Sequence, residues 1–286
     1  MLSLNAFRFK GHCMTELTST PRADVGVLAN NSLKAATIVW FLVTLIGQWT
    51  FVYYMAGNYG GDALRGDFGN WATSSIKGYI AGDLVGNIYF GSHILLGAVL
   101  TFGGALQLIP AIRARAMPFH RWNGRLFIVT AIVMSLGALY LVWGRGAYLN
   151  IPGAIGVSLN GVLIIAFSFM TLRYALARKI ALHHRWALRA FIVVNGVWFF
   201  RLGLMAWTIL VPNRIGSTPA LDGPFDIFIS FGSYLVPLFF LELYFRTQDR
   251  AGPRGKTAMA VLLLGLTAFM VVGIYGAYTF MWAPRI

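Results

Sequence analysis

The sequence predicts an all-α integral membrane protein with about seven transmembrane helices, its N-terminus inside and its C-terminus outside. Three observations lead there. Of the 286 residues, 58% are hydrophobic and only 11% are charged, against about 25% charged in a soluble domain. The apolar residues form seven runs, each near the roughly 20 residues that a helix needs to cross a bilayer. Lys and Arg collect in alternate connections between those runs.

The predicted spans are 35–57, 84–110, 126–143, 154–176, 187–211, 225–246 and 258–281, within a membrane domain covering 34–286. The second is the longest and the third the shortest. Residues 1–33 carry Thr, Ser, Pro, Asn and scattered charges and lack the apolar core of a signal peptide, so they read as a mobile cytoplasmic tail. The single cysteine, Cys13, lies in that tail, which leaves no partner for an intrachain disulfide.

Orientation follows from the basic residues. One side holds seventeen: Arg8, Lys10, Arg22 and Lys34; Arg113, Arg115, Arg121 and Arg125; Arg173, Arg178, Lys179, Arg185 and Arg189; Arg246, Arg250, Arg254 and Lys256. The other holds five: Arg65, Lys77, Arg145, Arg214 and Arg285. Short loops rich in Lys and Arg stay in the cytoplasm. The net charge of +14 is thereby assigned to topology, with the lipid bilayer as partner and no nucleic acid expected. The outer loops differ in kind. Residues 58–83 hold Asp62, Asp67, Asp83 and Trp71 among glycines, and 212–224 hold three prolines; both could cap an outward cavity or serve as plain connectors.

An internal repeat is present at an offset of 64. Residues 120–129 read HRWNGRLFIV and 184–193 read HRWALRAFIV, identical at seven of ten positions. The expected unit is a two-helix hairpin, spans two and three followed by spans four and five, related by an axis along the membrane normal. The alternative is convergence on good interfacial chemistry, since Trp and Arg both suit the headgroup region.

Polar groups at bilayer depth mark candidate sites. His93 and Arg201 each fall nine or ten residues below the outer end of their spans, roughly 14–15 Å deep. Gln48 is at a similar depth and Asn160 slightly higher. The four suggest one outward-facing pocket, in which Arg201 would attract an anion or a carbonyl oxygen. The competing reading is that a buried Arg satisfies backbone carbonyls and a lone His bonds across two helices. Glu242 lies too deep on the inner side to pair with Arg201 and is expected to meet an inner Arg. His120 and His184 form a second set: as repeat mates they could ligate a b-type haem, with Arg115, Arg121, Arg185 and Arg189 near its propionates, or they could simply be interfacial histidines. Arg121, Arg125, Arg185 and Arg189 complete the inner motif. No phosphate-binding loop, HExxH, GxSxG or cluster of intramembrane carboxylates is present, which argues against hydrolytic or ATP-driven chemistry.

His93, Gln107-x-x-Pro110-x-x-Arg113, HRWNGR at 120–125 and HHRW at 183–186 with Arg189 together resemble bacterial multi-pass membrane proteins of the domain of unknown function 2306, over roughly 40–245. Ala187 stands where that pattern leads one to expect Met. The resemblance implies a helical fold in a bacterial inner membrane and no established activity. In architecture alone the pattern is also similar to cytochrome b561-type electron carriers. Three classes stay open: a protein that binds or moves a small ligand, a haem- or quinone-linked redox protein, and a non-catalytic subunit or assembly factor. Protein partners and oligomeric state are not specified by the sequence.

Overall fold

A computed structural model describes residues 21–74 and 77–286 of the chain. Its described residues form helices joined by short connections, with no β-strand. The long helices are α1 (Pro21–Met55), α4 (Leu84–Leu108), α6 (Met117–Leu139), α7 (Ile151–Leu176), α10 (Pro224–Arg250) and α11 (Pro253–Ala277). Each is long and apolar enough to cross a membrane, α1, α6 and α11 together with the turns that follow them. A seventh crossing is made of two shorter pieces, α8 (Ile180–Val194) and α9 (Gly196–Leu210), bent by 53° at their junction. Short helices α2 (Gly61–Arg65), α3 (Asn70–Ser74) and α5 (Pro110–Arg115) lie in the connections.

Several boundaries depart from the hydropathy reading, among them the starts of α8 at Ile180 and α11 at Pro253, and three have a clear physical reason. Helix α1 starts at Pro21 rather than near residue 35. Ala29, Leu33 and Ala36 fall on one helical face and are buried, Leu33 and Ala36 against Met259 and Ala260 of α11, so packing extends the helix beyond its most apolar part. Residues 21–33 of the expected tail are therefore helical, while residues 1–20, with Cys13, lie outside the described residues. Helix α6 starts at Met117, nine residues before the predicted span, because Pro118 suits a first helical turn. The charged turn that follows lowers hydropathy without breaking the helix. Helix α4 stops at Leu108 because Ile109 precedes Pro110 and is held extended, at φ −73° and ψ 114°.

Other helix starts are capped by side chains. Asp83 accepts from the Gly86 N–H at 2.8 Å and Asn150 from the Gly153 N–H at 2.7 Å. These bonds satisfy donors that a helix cannot satisfy itself.

Neighbouring helices close into a ring in the order α1, α4, α6, α7, α8–α9, α11 and back to α1, and α10 packs outside it on α7, α8 and α9. Consecutive spans run antiparallel: Tyr89 meets Tyr140, Trp143 bonds Ser158, and Trp207 stacks on Phe225. Helices α1 and α11 run parallel, Leu33 lying beside Met259 at one end and Gly47 beside Ile274 further along. Helices approach closely where a side chain is missing. A Cβ on Gly273 would lie 2.6 Å from the Leu202 carbonyl oxygen, which fixes how near α11 comes to α9.

The outside of the ring is apolar. Ile46, Val129, Phe169, Phe239, Val261 and Tyr275 are all at least 60% exposed. In water such a belt would drive aggregation, whereas in lipid it is the expected surface. One end of the bundle carries the starts of α6, α8 and α11 with most of the basic residues, and is called the basic end below. The opposite end, covered by residues 56–74 and 77–83, is the cap end.

Candidate functional site

At the cap end α1, α6 and α11 each finish in a π-turn: Ala56–Gly60, Tyr140–Gly144 and Tyr278–Trp282. Such turns widen a helix and commonly occur at functional sites. Two of them deliver rings inward, Tyr59 from the first and Trp282 from the third. The cap contributes Trp71, whose ring sits where Gly91 leaves room; a Cβ there would come within 2.7 Å of the indole. Asp62 holds the cap together, accepting from Arg65 at 2.7 Å and from Asn70 at 3.2 Å.

These rings build one aromatic cluster. Phe51 stacks near Tyr54 and Trp282, Tyr54 meets Tyr59, and Tyr59 meets Trp71 and Phe90. Trp198 and Phe199 of α9 belong to the same core. Arg201 enters this cluster with its guanidinium 5.3 Å from the Phe51 ring centre. Its hydrogen bond runs to its own helix, from Nη1 to the Val197 carbonyl at 3.1 Å. Among the described residues no carboxylate pairs with it. Tyr54, Tyr59 and a second cation, Arg285, lie within electrostatic reach.

The cluster is rich in donors. Among the described residues the indole N–H groups of Trp71, Trp198 and Trp282 are buried without an acceptor, and so is the Asn58 amide nitrogen. Such groups ordinarily find partners, and each exception needs an explanation.

The four residues expected to share a pocket fall into two places. Gln48 and Asn160 border the break between α8 and α9. Gln48 Nε2 donates to Asn195 Oδ1 at 3.0 Å, and Asn160 packs against Gly196. Their Oε1 and Oδ1 atoms are buried without donors. Arg201 lies further along α9, over Phe51. His93 is on α4 with its ring against the Met134 backbone of α6 and its Nδ1 unpartnered. Among the described residues no hydrogen bond joins His93 to Arg201.

Sequence reasoning missed Asn195, which organises the break. Its side chain donates to the Phe191 carbonyl at 2.8 Å and accepts from Gln48. The signal was present, since Asn-Gly is a turn dipeptide even inside an apolar run. The three unpartnered indoles had no such signal, because satisfaction of an N–H is a tertiary property.

At the basic end Glu242 meets Arg189, as expected of an inner Arg. The contact is bidentate, at 2.6 and 2.9 Å, the geometry that favours Arg over Lys. Arg185 pairs with Asp249 on the same helix, α10. Both guanidinium groups also lie against the Phe245 ring, and Arg189 covers Trp186 at 4.7 Å. Arg185 and Arg189 are thus both held by α10. His120 and His184 both lie within reach of Arg113 and His183. His120 Nδ1 is buried without a partner, and His183 Nδ1 contacts the Thr171 carbonyl at 3.0 Å. No group of three His, Cys, Asp or Glu side chains suited to a metal ion occurs among the described residues.

No curated protein and no solved structure matches the chain. One family model does, over 90–231, a segment narrower than the 40–245 of the resemblance. That segment holds His93, His120, His184, Arg201 and both copies of the HRW motif, and over it the chain matches the model of the family described as predicted membrane protein, domain of unknown function 2306.

Proposed function

We propose that this chain is a bacterial inner-membrane protein that binds a small, acceptor-rich ligand in the aromatic cluster around Arg201. The ligand class is a molecule bearing carbonyl oxygens or a negative charge, such as a quinone. One observation carries the reading: among the described residues Arg201 has no carboxylate, and the cluster around it holds three indole N–H donors without acceptors. A low-dielectric site with surplus donors is costly until an acceptor arrives. The nearby Arg285 raises the preference for negative charge over a cation. The rings supply flat apolar walls, which suit a planar ligand. In this reading the basic end faces the cytoplasm and the cap end faces outward, so the ligand enters from the outer side.

The test uses the full chain purified in detergent, with thermal unfolding measured against a short-chain benzoquinone and against a simple inorganic anion. A ligand that binds only the folded state stabilises it, by about 2.7 kcal/mol when present at roughly a hundred times its Kd. Arg201→Leu removes that response. It also leaves the unliganded protein as stable or more so, by up to about 1 kcal/mol, because an unpaired intramembrane charge has been removed. A structural Arg behaves the other way: its loss lowers stability and leaves any ligand response in place. A reduced spectrum with a b-type haem band that disappears in His120→Ala would instead carry the redox reading.

A further inference from the structure

The two HRW copies have the same residues and opposite surroundings. In the second copy α10 covers the motif, and its carboxylates Glu242 and Asp249 take Arg189 and Arg185. In the first copy the equivalent residues are Arg125 and Arg121. Both are exposed, and among the described residues neither has a hydrogen bond or carboxylate. Trp122 beside them is 67% exposed, whereas its counterpart Trp186 is packed on Phe167. Arg113 adds a third cation, since it and Arg121 both lie within electrostatic reach of His120.

The covered copy shows what the bare one lacks, an anion placed across two arginines one helical turn apart. Among the described residues the chain has little to offer for that role. It has nine acidic residues, and seven are already engaged. Asp62 and Asp67 meet Arg65, Asp83 meets Arg145, Asp222 and Asp226 hold the 217–223 turn, and Glu242 and Asp249 hold the second copy. A second copy of the chain would bring the same engaged acids. What surrounds this face is the bilayer, and an exposed Trp between arginines sits where headgroups lie.

We infer that Arg113, Arg121 and Arg125, with Trp122, form a binding site for the phosphate of an anionic phospholipid. The phosphate takes the position that the Glu242 and Asp249 carboxylates occupy in the second copy. Arg121 and Arg125 supply paired donors, Arg113 adds charge, and the Trp122 ring rests on the glycerol and upper acyl region.

The test is lipid retention by the full detergent-purified chain, read by native mass spectrometry after incubation with phosphatidylglycerol or with phosphatidylcholine of the same acyl chains. Phosphatidylglycerol is expected to be retained at least fivefold more. In Arg121→Ala/Arg125→Ala the preference disappears, while Arg121→Lys/Arg125→Lys keeps part of it. The control is Arg250→Ala/Arg254→Ala, which removes the same charge from another basic connection. An equal loss in that control overturns the site in favour of a diffuse surface field. Equal retention of both lipids by the wild type also overturns it. Displacement of phosphatidylglycerol by equimolar inorganic phosphate overturns the lipid assignment and leaves a free-phosphate site. Unchanged melting temperatures in the Ala variants, whose side chains are exposed, show that the fold is intact.

Discussion

Arg145 shows how much one residue can hold. In the sequence it is one of five basic residues on the sparsely charged side, with nothing to set it apart. In the fold its side chain is 4% exposed and ties three segments together. Nε bonds Asp83 at 2.8 Å, Nη1 the Gly78 carbonyl at 3.1 Å and Nη2 Asn87 at 2.7 Å. Its own carbonyl accepts from Lys77 at 2.9 Å. It therefore joins the end of α6 to the start of α4 and to the cap that carries Trp71. Arg145→Met leaves Asp83 without its cation and the Gly78 carbonyl without this donor. The expected cost is about 3 kcal/mol, read as a lower melting temperature in detergent. A loss under about 0.5 kcal/mol would mean that solvent replaces the guanidinium freely. By contrast it was legible in advance that Glu242 would meet an inner Arg, because counting residues along the helices gives its depth; that the partner is Arg189 comes from the fold. The role of Arg145 was not legible, since its partners lie on the connection before α4 and on the first turn of α4, and no periodicity encodes the course of that connection.

At the scale of elements, hydropathy made helix existence legible and helix interruption not; only the Asn195-Gly196 dipeptide marked the break. Hydropathy averages over a turn or more, so it finds seven apolar runs and passes over a break of one residue. The break at Asn195 has a local cause. Its backbone, at φ −85° and ψ 9°, leaves the helical region, and its side chain competes for the Phe191 carbonyl. Gly196 follows, and the Asn160 amide occupies the space where its Cβ would be. Gln48 then locks the bend from α1. The bend aims α9 so that Trp198 and Arg201 reach the aromatic cluster, which makes it part of the proposed site. Asn195→Leu removes both side-chain bonds and favours one continuous helix. Spin labels at Leu182→Cys and Ile209→Cys, in a Cys13→Ser background, report the change. Straightening a 53° bend between arms of this length should lengthen the label distance by about 4 Å. An unchanged distance would place the cause of the bend in Gly196 and the packing of α7 instead.

On the scale of the whole molecule, charge and burial divide the work. An apolar exterior and polar interior contacts make the chain a membrane body, a conclusion that composition alone already supports. Which way that body faces depends on the seventeen-to-five split of Lys and Arg between the two sides. The split bears on orientation because few carboxylates offset it. The seven acids engaged within the fold leave most of the basic-end cations uncompensated, and translocating them is opposed by the membrane potential and by anionic lipid. The cap end has the reverse character, with Arg65 and Arg145 each neutralised by neighbouring acids. Orientation with the basic end in the cytoplasm is therefore the expected outcome. It is measured with single cysteines at Leu149 and Gly252, each in a Cys13→Ser background, and an impermeant maleimide applied to intact cells. Leu149→Cys, exposed at the cap end, should label in intact cells, and Gly252→Cys, in the basic connection between α10 and α11, only after permeabilisation. The reverse pattern would invert the protein. It would put the Arg201 cluster on the cytoplasmic side, where a ligand would arrive from metabolism instead of from outside. Equal labelling of both positions in intact cells would point to mixed insertion, which the uncompensated charge at the basic end opposes.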